Sequence, residues 1–336
     1  MAEIVKLGFA PLVDCAIPVA AAERGFAVAE GIDLVLERAP SWAALRDRLA
    51  FGLVDAAHIL APLALALHQG IAGVPATALQ VPVSLGLGNN AITLSLDLYE
   101  RMMAVAPEVM AGAPSLRARA LRPIIDADRA AGKPLLSFVT VFHFSCHHYE
   151  LLKWLADGGI DGRSEVNIGV IAPPRMVESL ASGWIDGYCA GEPWNQRAMQ
   201  RGVGQVVVTK ADIRPDGLEK VLGLRTEWAE ENPAQAAALV RAVVKAADWC
   251  GDPANRGELA RLLAEARHVG LPADLIELTL KGAIPAPNRN RPDPADVEKL
   301  LAEMAAAGQL ELPEAERAGL AAAVWRPDLY DEAMGC

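Results

Sequence analysis

Three histidines and a cysteine stand close together in the segment VTVFHFSCHHYELLKWL, at His143, Cys146, His147 and His148. The segment has the pattern of a strand, a short polar turn and an amphipathic helix that begins at about His147. A helix N-terminus presents unpaired backbone N–H groups and the positive end of a dipole, which suits a small anion. The same side-chain types also bind zinc. Two chemistries, anion binding and metal binding, are therefore open at this joint.

The metal interpretation lacks further ligands. No second Cys/His pair stands at a familiar spacing, and no cluster of Asp and Glu accompanies the segment. A zinc site usually needs three or four such ligands. The five cysteines are scattered without CxxC spacing, so we expect reduced thiols. We therefore predict no metal and no cofactor, and we interpret His143 and His148 as surface or packing side chains.

The sequence favours a binding protein over an enzyme. It contains no GxxxxGK[ST], GxSxG or HExxH motif, and no GxGxxG after a strand. Asp14 and Glu192 have no partner at a defined spacing, so we expect capping or ion-pair roles for them. The net charge of −11 argues against nucleic acid as a direct partner, because phosphate binding needs a basic face. A small anion needs only local donors.

Strand and helix patterns alternate along the chain, which at 336 residues is long enough for two α/β lobes. The first 80 residues have the pattern β-α-β-α-β-α-β, which predicts a parallel sheet with covering helices. The Gly/Asn-rich stretch SLGLGNN predicts a crossing into a second lobe at 85–190, so that 1–84 and 191–336 form the first. A long helical stretch is expected at 98–131 and a Pro/Asn/Arg-rich loop at 284–294. Two lobes joined by a hinge would close on a ligand.

The residues before the first predicted strand do not have the pattern of an export leader. After three residues the chain enters IVKLGFAPL, without the basic and apolar regions of an export signal. No uncharged apolar run is long enough to span a membrane. We therefore expect a cytoplasmic protein with no membrane segment.

Several segments, taken in order, resemble the nitrate- and bicarbonate-binding proteins of the NrtA/CmpA family. They are SWAALRDRL, DAAHILAP, LGLGNNAITLS, CHHYELLKWLADGGID, APPRM, GEPWN and EKVLGLRTEW. The resemblance runs from about residue 5 to at least about residue 250. It implies a two-lobe periplasmic-binding-protein fold of type II, with the anion enclosed between the lobes.

The resemblance also implies a set of ligand-binding residues. They are Trp42, Gly86, Asn90, His147, Pro173 and Lys220. Asn90 stands where the family has glutamine, which keeps an amide donor but shortens its reach. A set dominated by donors suits nitrate and nitrite, because these anions accept hydrogen bonds and donate none. Bicarbonate would want an acceptor, and the calcium used by its binders would need a carboxylate cluster that the sequence does not present.

Without an export signal, the chain most resembles the cytosolic nitrate/nitrite sensors of the NasS type within this family. That resemblance implies a partner, a NasT-type response-regulator-like antiterminator, which is held until the anion arrives. Control of nitrate assimilation genes would follow from its release. Two alternatives stay open. One is a substrate-binding receptor of a nitrate, bicarbonate or cyanate ABC transporter, and the other is a metal-dependent or precursor-synthase enzyme of the same fold.

Overall fold

The structure is a computed structural model, and it describes residues 3–280 and 289–336 of the chain. Of the predicted Pro/Asn/Arg-rich loop, residues 284–288 lie outside the described residues, and residues 289–293 are non-helical. The chain folds into two compact units, Met1–Gly88 with Gly217–Cys336 and Asn89–Asp216. Each unit is built around one mixed sheet with helices packed on it.

The described residues form ten strands and eighteen α-helices. The strands are β1 (Glu3–Phe9), β2 (Ile32–Arg38), β3 (Ala56–Leu60), β4 (Leu79–Gly86), β5 (Ala91–Ser95), β6 (Ser137–Thr140), β7 (Asn167–Val170), β8 (Gly187–Ala190), β9 (Gly204–Thr209) and β10 (Lys220–Arg225). The helices are α1 (Ala16–Glu23), α2 (Phe26–Ala29), α3 (Trp42–Ala50), α4 (Ala61–His68), α5 (Leu96–Val105), α6 (Pro107–Ala111), α7 (Leu121–Ala130), α8 (Cys146–Asp157), α9 (Pro173–Ala181), α10 (Trp194–Gln200), α11 (Lys210–Ile213), α12 (Thr226–Glu231), α13 (Pro233–Gly251), α14 (Arg256–Leu263), α15 (Ala273–Thr279), α16 (Pro294–Ala306), α17 (Glu314–Val324) and α18 (Pro327–Met334).

The sheet of the first unit has the strand order β2-β1-β3-β10-β4. Strand β1 pairs in parallel with β2 and β3, as the alternating pattern predicted. The prediction of a parallel sheet did not include β10, which makes the sheet mixed. Strand β10 lies between β3 and β4 and runs antiparallel to both. β10 lies far along the chain from its two neighbours, so the local pattern of the first 80 residues does not predict it.

The sheet of the second unit has the strand order β7-β6-β8-β5-β9. The sequence placed the return to the first unit at residue 191, whereas the second unit continues to Asp216. The physical reason is the position of β9, which pairs antiparallel with β5 from Ala91↔Thr209 to Ser95↔Gly204. That pairing keeps the chain in the second sheet for one more strand.

The predicted long helix at 98–131 is broken into shorter pieces. Helices α5 and α6 are followed by a 3-10 turn, Pro114–Ala120, and then by α7. Pro107 and Pro114 each stand at the first position of a new segment. Proline has no N–H to donate and clashes with the preceding turn, so it can begin a helix but cannot continue one.

The chain beyond α15 supports the outer edge of the first sheet. The backbone N–H of Ser84 in β4 donates to Asn290 O, and Asn290 Nδ2 donates back to Ser84 O, both at 2.8 Å. Farther along β4, Val81 forms an isolated parallel bridge with Trp325. These contacts hold the strand that ends at Gly86.

Among the described helices, none combines the length and apolar character that a membrane crossing requires.

We expect Gly158→Ala to destabilise the second unit. Gly158 ends α8, and a Cβ there would lie 2.7 Å from the backbone carbon of Ala118. Overpacking against backbone costs roughly 1–3 kcal/mol of unfolding free energy. Gly319 within α17 is the control, because a Cβ there meets no atom within 4 Å. Gly319→Ala should stabilise by about 0.5–1 kcal/mol. Urea unfolding followed by circular dichroism measures both, and equal midpoints for the two variants would contradict the packing seen at Gly158.

Candidate functional site

Lys220 stands where three strands of the first sheet meet. It begins β10 and pairs with Leu60 at the end of β3 and with Gly86 at the end of β4. Because β10 runs antiparallel to both neighbours, its first residue lies at their carboxyl ends. That edge of an open α/β sheet is the usual place for a ligand. Of the residues implied by the resemblance, Lys220 and Gly86 are therefore adjacent, and the backbone N–H of Glu219 donates to Gly86 O at 3.0 Å.

Trp42, the first residue of α3, lies beside Lys220. Ser41 caps the helix by accepting a hydrogen bond from the backbone N–H of Ala44 at 3.1 Å, which fixes the position of the first helical residue. The indole is fully buried, and Lys220 Nζ lies 5.4 Å from the ring centroid, a cation–π distance. Its Nε1–H has no hydrogen-bond partner among the described residues.

Two buried carboxylates accompany the Lys220 ammonium. Its Nζ lies 2.9 Å from Asp14 Oδ2 and 2.9 Å from Glu219 Oε1. His58 in β3 adds a ring nitrogen, Nε2, at 3.7 Å from Asp14 Oδ1. All four side chains are at most 4% exposed. We name the set Asp14, His58, Glu219 and Lys220 the charge cluster.

The charge cluster shifts the protonation of two of its members. Burial alone would lower the pKa of Lys220, but the negative charges of Asp14 and Glu219 outweigh it and raise the pKa well above its usual range. Lys220 is therefore a permanent cation. For His58, burial lowers the pKa to about 4, with Asp14 acting in the opposite direction. At neutral pH His58 is neutral.

In the second unit, Asn90 directly precedes β5 and is buried. Its backbone carbonyl accepts from Lys210 N at 2.8 Å, and its Nδ2 donates to Glu150 Oε2 at 3.0 Å. Glu150 is itself 1% exposed, and Cys189 Sγ lies 3.9 Å from the same carboxylate oxygen. The amide donor that the sequence assigned to an anion is thus held by a protein carboxylate.

His147 lies in the first turn of α8 and is fully buried. Ser145 caps this helix, accepting from His148 N at 3.1 Å and donating to Phe142 O at 2.5 Å. The strand–turn–helix pattern of the sequence is confirmed here. Pro173 also occupies its expected place, the first position of α9, and is buried.

The other members of the histidine–cysteine segment do not share one environment. His143 is exposed, whereas Cys146 and His147 are buried. The rings of His143 and His148 meet edge to face with centroids 5.8 Å apart. Burial, followed by the neighbouring His143, lowers the pKa of His148 to about 4. Within the part of the chain that the structure describes, no group of three His, Cys, Asp or Glu side chains is placed to hold a metal.

Sequence reasoning missed three polar residues of these clusters: Glu219 and His58 were not considered, and Glu150 was not singled out. Asp14 was expected in a capping or ion-pair role, and the structure shows an ion pair with Lys220. Each of the three missed residues had a weak signal in the sequence. Glu219 directly precedes Lys220, Glu150 follows His147 at helical spacing, and His58 interrupts the apolar strand VDAAHIL. The spacing does not show that they meet donors.

The two sheets with their helices define a periplasmic-binding-protein-like fold. The chain is similar to the crystal structure of the periplasmic nitrate-binding protein NrtA from Synechocystis PCC 6803, with a TM-score of 0.88, 24% identity, and coverage of 99% of this chain and 89% of that one. It is also similar to the ligand-binding component of an ABC-type import system from Staphylococcus aureus, with a TM-score of 0.77, 17% identity, and coverage of 98% and 99%. At these identities the likeness shows the fold alone.

Residues 2–264 match the NMT1-like family, and the chain belongs to that family. It is 35% identical over 273 residues to the nitrate import ATP-binding protein NrtC of Synechocystis sp., covering 81% of this chain and 38% of that protein. It is 33% identical over 285 residues to the nitrate/nitrite binding protein NrtA of Synechococcus elongatus, covering 83% and 62%. The bicarbonate transport ATP-binding protein CmpC of the same species is 33% identical over 278 residues, covering 82% and 39%. The matches span under two thirds of each relative.

We expect Lys220→Met to destabilise the first unit strongly. The substitution leaves the buried carboxylates of Asp14 and Glu219 without the ammonium that both contact. Breaking a buried pair from one side costs about 3–5 kcal/mol of unfolding free energy.

Lys245→Met is the matched control, because Lys245 pairs with Glu30 on the surface with its side chain 53% exposed. An exposed pair is worth about 0–1 kcal/mol. Chemical denaturation of the two variants at neutral pH measures the difference. Similar losses in both would argue that Lys220 does not hold the cluster together.

Proposed function

We propose that this chain binds a small planar oxyanion, nitrate or nitrite, and does not transform it. One observation carries the proposal. The buried Trp42 Nε1–H has no hydrogen-bond partner among the described residues and stands beside the buried Lys220 ammonium. A buried donor without a partner costs about 1–3 kcal/mol, so native proteins normally satisfy such groups. An oxyanion would accept from the indole and gain from the cation.

Within the second unit, the His147 ring and the Asn90 amide are groups of the types that donate to anions. The sequence resemblance implies that both belong to the anion site. The relatives named above support the same ligand class, since their names describe nitrate, nitrite or bicarbonate binding and import. None of these names describes a synthase, which favours binding over the enzyme alternative.

Calorimetric titration with nitrate, nitrite and bicarbonate tests this function. We expect saturable binding of at least one nitrogen oxyanion, and Trp42→Phe should weaken it about five- to thirtyfold by removing one buried donor while keeping the ring. Trp325→Phe is the control, because that indole is also buried with no partner among the described residues, while the Trp325 backbone forms a bridge with Val81 within β4. The control should stay within about twofold of the parent.

Titration of the parent protein decides whether the chain binds nitrate or nitrite at all. If the parent protein shows no saturable binding of either anion, the proposal fails. If Trp42→Phe and Trp325→Phe lose the same amount of affinity for the anion, Trp42 does not bind it. His147→Ala gives the corresponding test for the second unit, and unchanged affinity in that variant would exclude His147 as a ligand.

Bicarbonate is the second candidate, and one observation favours it. The sequence presented no carboxylate cluster, yet the structure brings Asp14 and Glu219 to Lys220. A carboxylate can accept the O–H of bicarbonate, which nitrate and nitrite lack. Saturable binding of bicarbonate alone in the titration would favour this ligand.

We further propose that the chain is a cytoplasmic sensor of the NasS type, which holds a NasT-type antiterminator until nitrate or nitrite binds. The sequence resemblance supports this role. The physical logic is a population shift: the anion favours one conformation, and the partner binds the other. A receptor of an ABC transporter is the competing role, because the relatives above include import components.

Co-purification from the native cells separates these roles. We expect a tagged chain to retain the antiterminator without nitrate and to release it at millimolar nitrate or nitrite, whereas chloride at equal ionic strength releases nothing. Trp42→Phe should require more nitrate for the same release. A complex that persists unchanged in both anions, or recovery of the chain from the periplasmic fraction, would contradict the sensor role.

A further inference from the structure

With both of its carboxylates ionised, the charge cluster carries a net negative charge before any anion arrives. Lys220 contributes one positive charge, and Asp14 and Glu219 contribute one negative charge each when ionised. His58 is neutral at neutral pH, because burial depresses its pKa to about 4. The sum over the four side chains is one negative charge. None of them is more than 4% exposed, so solvent ions screen this charge poorly.

An anion bound at Lys220 would therefore enter a negative environment. Its attraction to the ammonium is opposed by two carboxylates that already contact the same nitrogen atom. Charges removed from water need compensation within contact distance, because neither water nor salt supplies it there. One added proton would bring the cluster to neutrality and remove this opposition.

His58 is the side chain placed to take that proton. Its Nε2 lies 3.7 Å from Asp14 Oδ1, and neither ring nitrogen has a hydrogen-bond partner among the described residues. The charged groups that act on it are Asp14 from the 3-10 turn before α1, and Glu219 and Lys220 at the start of β10. From α3 the uncharged ring of Trp42 lies beside it, with ring centroids 6.3 Å apart. A protonated His58 would donate to Asp14.

We propose that His58 is part of the anion site of the first unit and takes up one proton when the anion binds. This inference rests on the proposed anion-binding function. A bound negative charge favours the imidazolium, so the pKa of His58 rises on binding. By linkage, the protonated protein then binds the anion more tightly than the unprotonated protein.

The sign of the pH dependence follows. Affinity is lowest at pH values above the pKa of His58 in the complex, where neither state holds the proton. It rises as the pH falls through that pKa and levels off near the pKa of the unliganded protein, about 4. One linked proton allows at most about a tenfold change per pH unit. We expect the Kd to fall about tenfold between about pH 7.5 and about pH 5.5.

Calorimetry with nitrate on the full chain tests the inference, because nitrate itself does not titrate in this range. Titrations in MES and in imidazole, two buffers of unlike ionisation enthalpy, report the number of protons taken up at about pH 6. We expect net uptake that approaches one proton. His58→Gln should bind nitrate with no proton uptake and with a Kd that no longer depends on pH.

His268→Gln is the matched control. His268 is also a buried histidine of the first unit beside a carboxylate, with Nε2 at 3.3 Å from Glu23 Oε1. Its replacement should leave proton uptake unchanged. Asp14→Asn provides a second variant: the cluster loses one negative charge, so uptake should fall while nitrate still binds.

The outcomes are distinguishable. Saturable nitrate binding by the parent protein with no proton uptake and a flat Kd overturns the inference and leaves the anion-binding function intact. Full proton uptake that persists in His58→Gln also overturns it, whatever His268→Gln shows. Absence of saturable binding at every pH removes the proposed function and this inference together. If His58→Gln fails to fold, the two-buffer measurement on the parent protein and on Asp14→Asn still decides.

Discussion

The first unit depends on one electrostatic constraint, the burial of the Lys220 ammonium between two carboxylates. Asp14 and Glu219 contact the same nitrogen at 2.9 Å, and all three side chains are withdrawn from solvent. Such an arrangement is stable only while each charge keeps its partners, because desolvation is costly for any ion left alone. The Lys220 ammonium therefore stabilises the fold and is also a candidate anion-binding group. Its neighbouring carboxylates would determine how strongly it attracts an anion.

The position of β10 makes this arrangement possible. By lying antiparallel between β3 and β4, β10 brings its first residue, Lys220, to the carboxyl ends of both neighbours. Gly86, the last residue of β4, pairs with it, and α3 places the Trp42 ring beside its ammonium. The outer side of β4 is held in turn by backbone and side-chain hydrogen bonds between Ser84 and Asn290. The geometry of the cluster thus depends on segments from both ends of the chain.

The polar clusters of the two units share one feature. A donor implied as an anion ligand is paired with a buried carboxylate: Lys220 with Asp14 and Glu219, and Asn90 with Glu150. The acceptors contact the donors and set the charge beside them. An anion that binds as we propose would meet these carboxylates as well as the donors.

The sequence by itself determined what depends on neighbours along the chain. Local patterns predict the strand–turn–helix joint at His147, the helix start at Pro173 and the parallel strands β1 to β3. All three are found in the structure. The resemblance of several segments to one family also implies a ligand class, which stays a prediction. Only the tertiary structure decided that the first sheet is mixed, that the second unit extends to Asp216, and that carboxylates face the donors. These outcomes depend on pairing between residues remote in sequence, and spacing along the chain does not encode such distances.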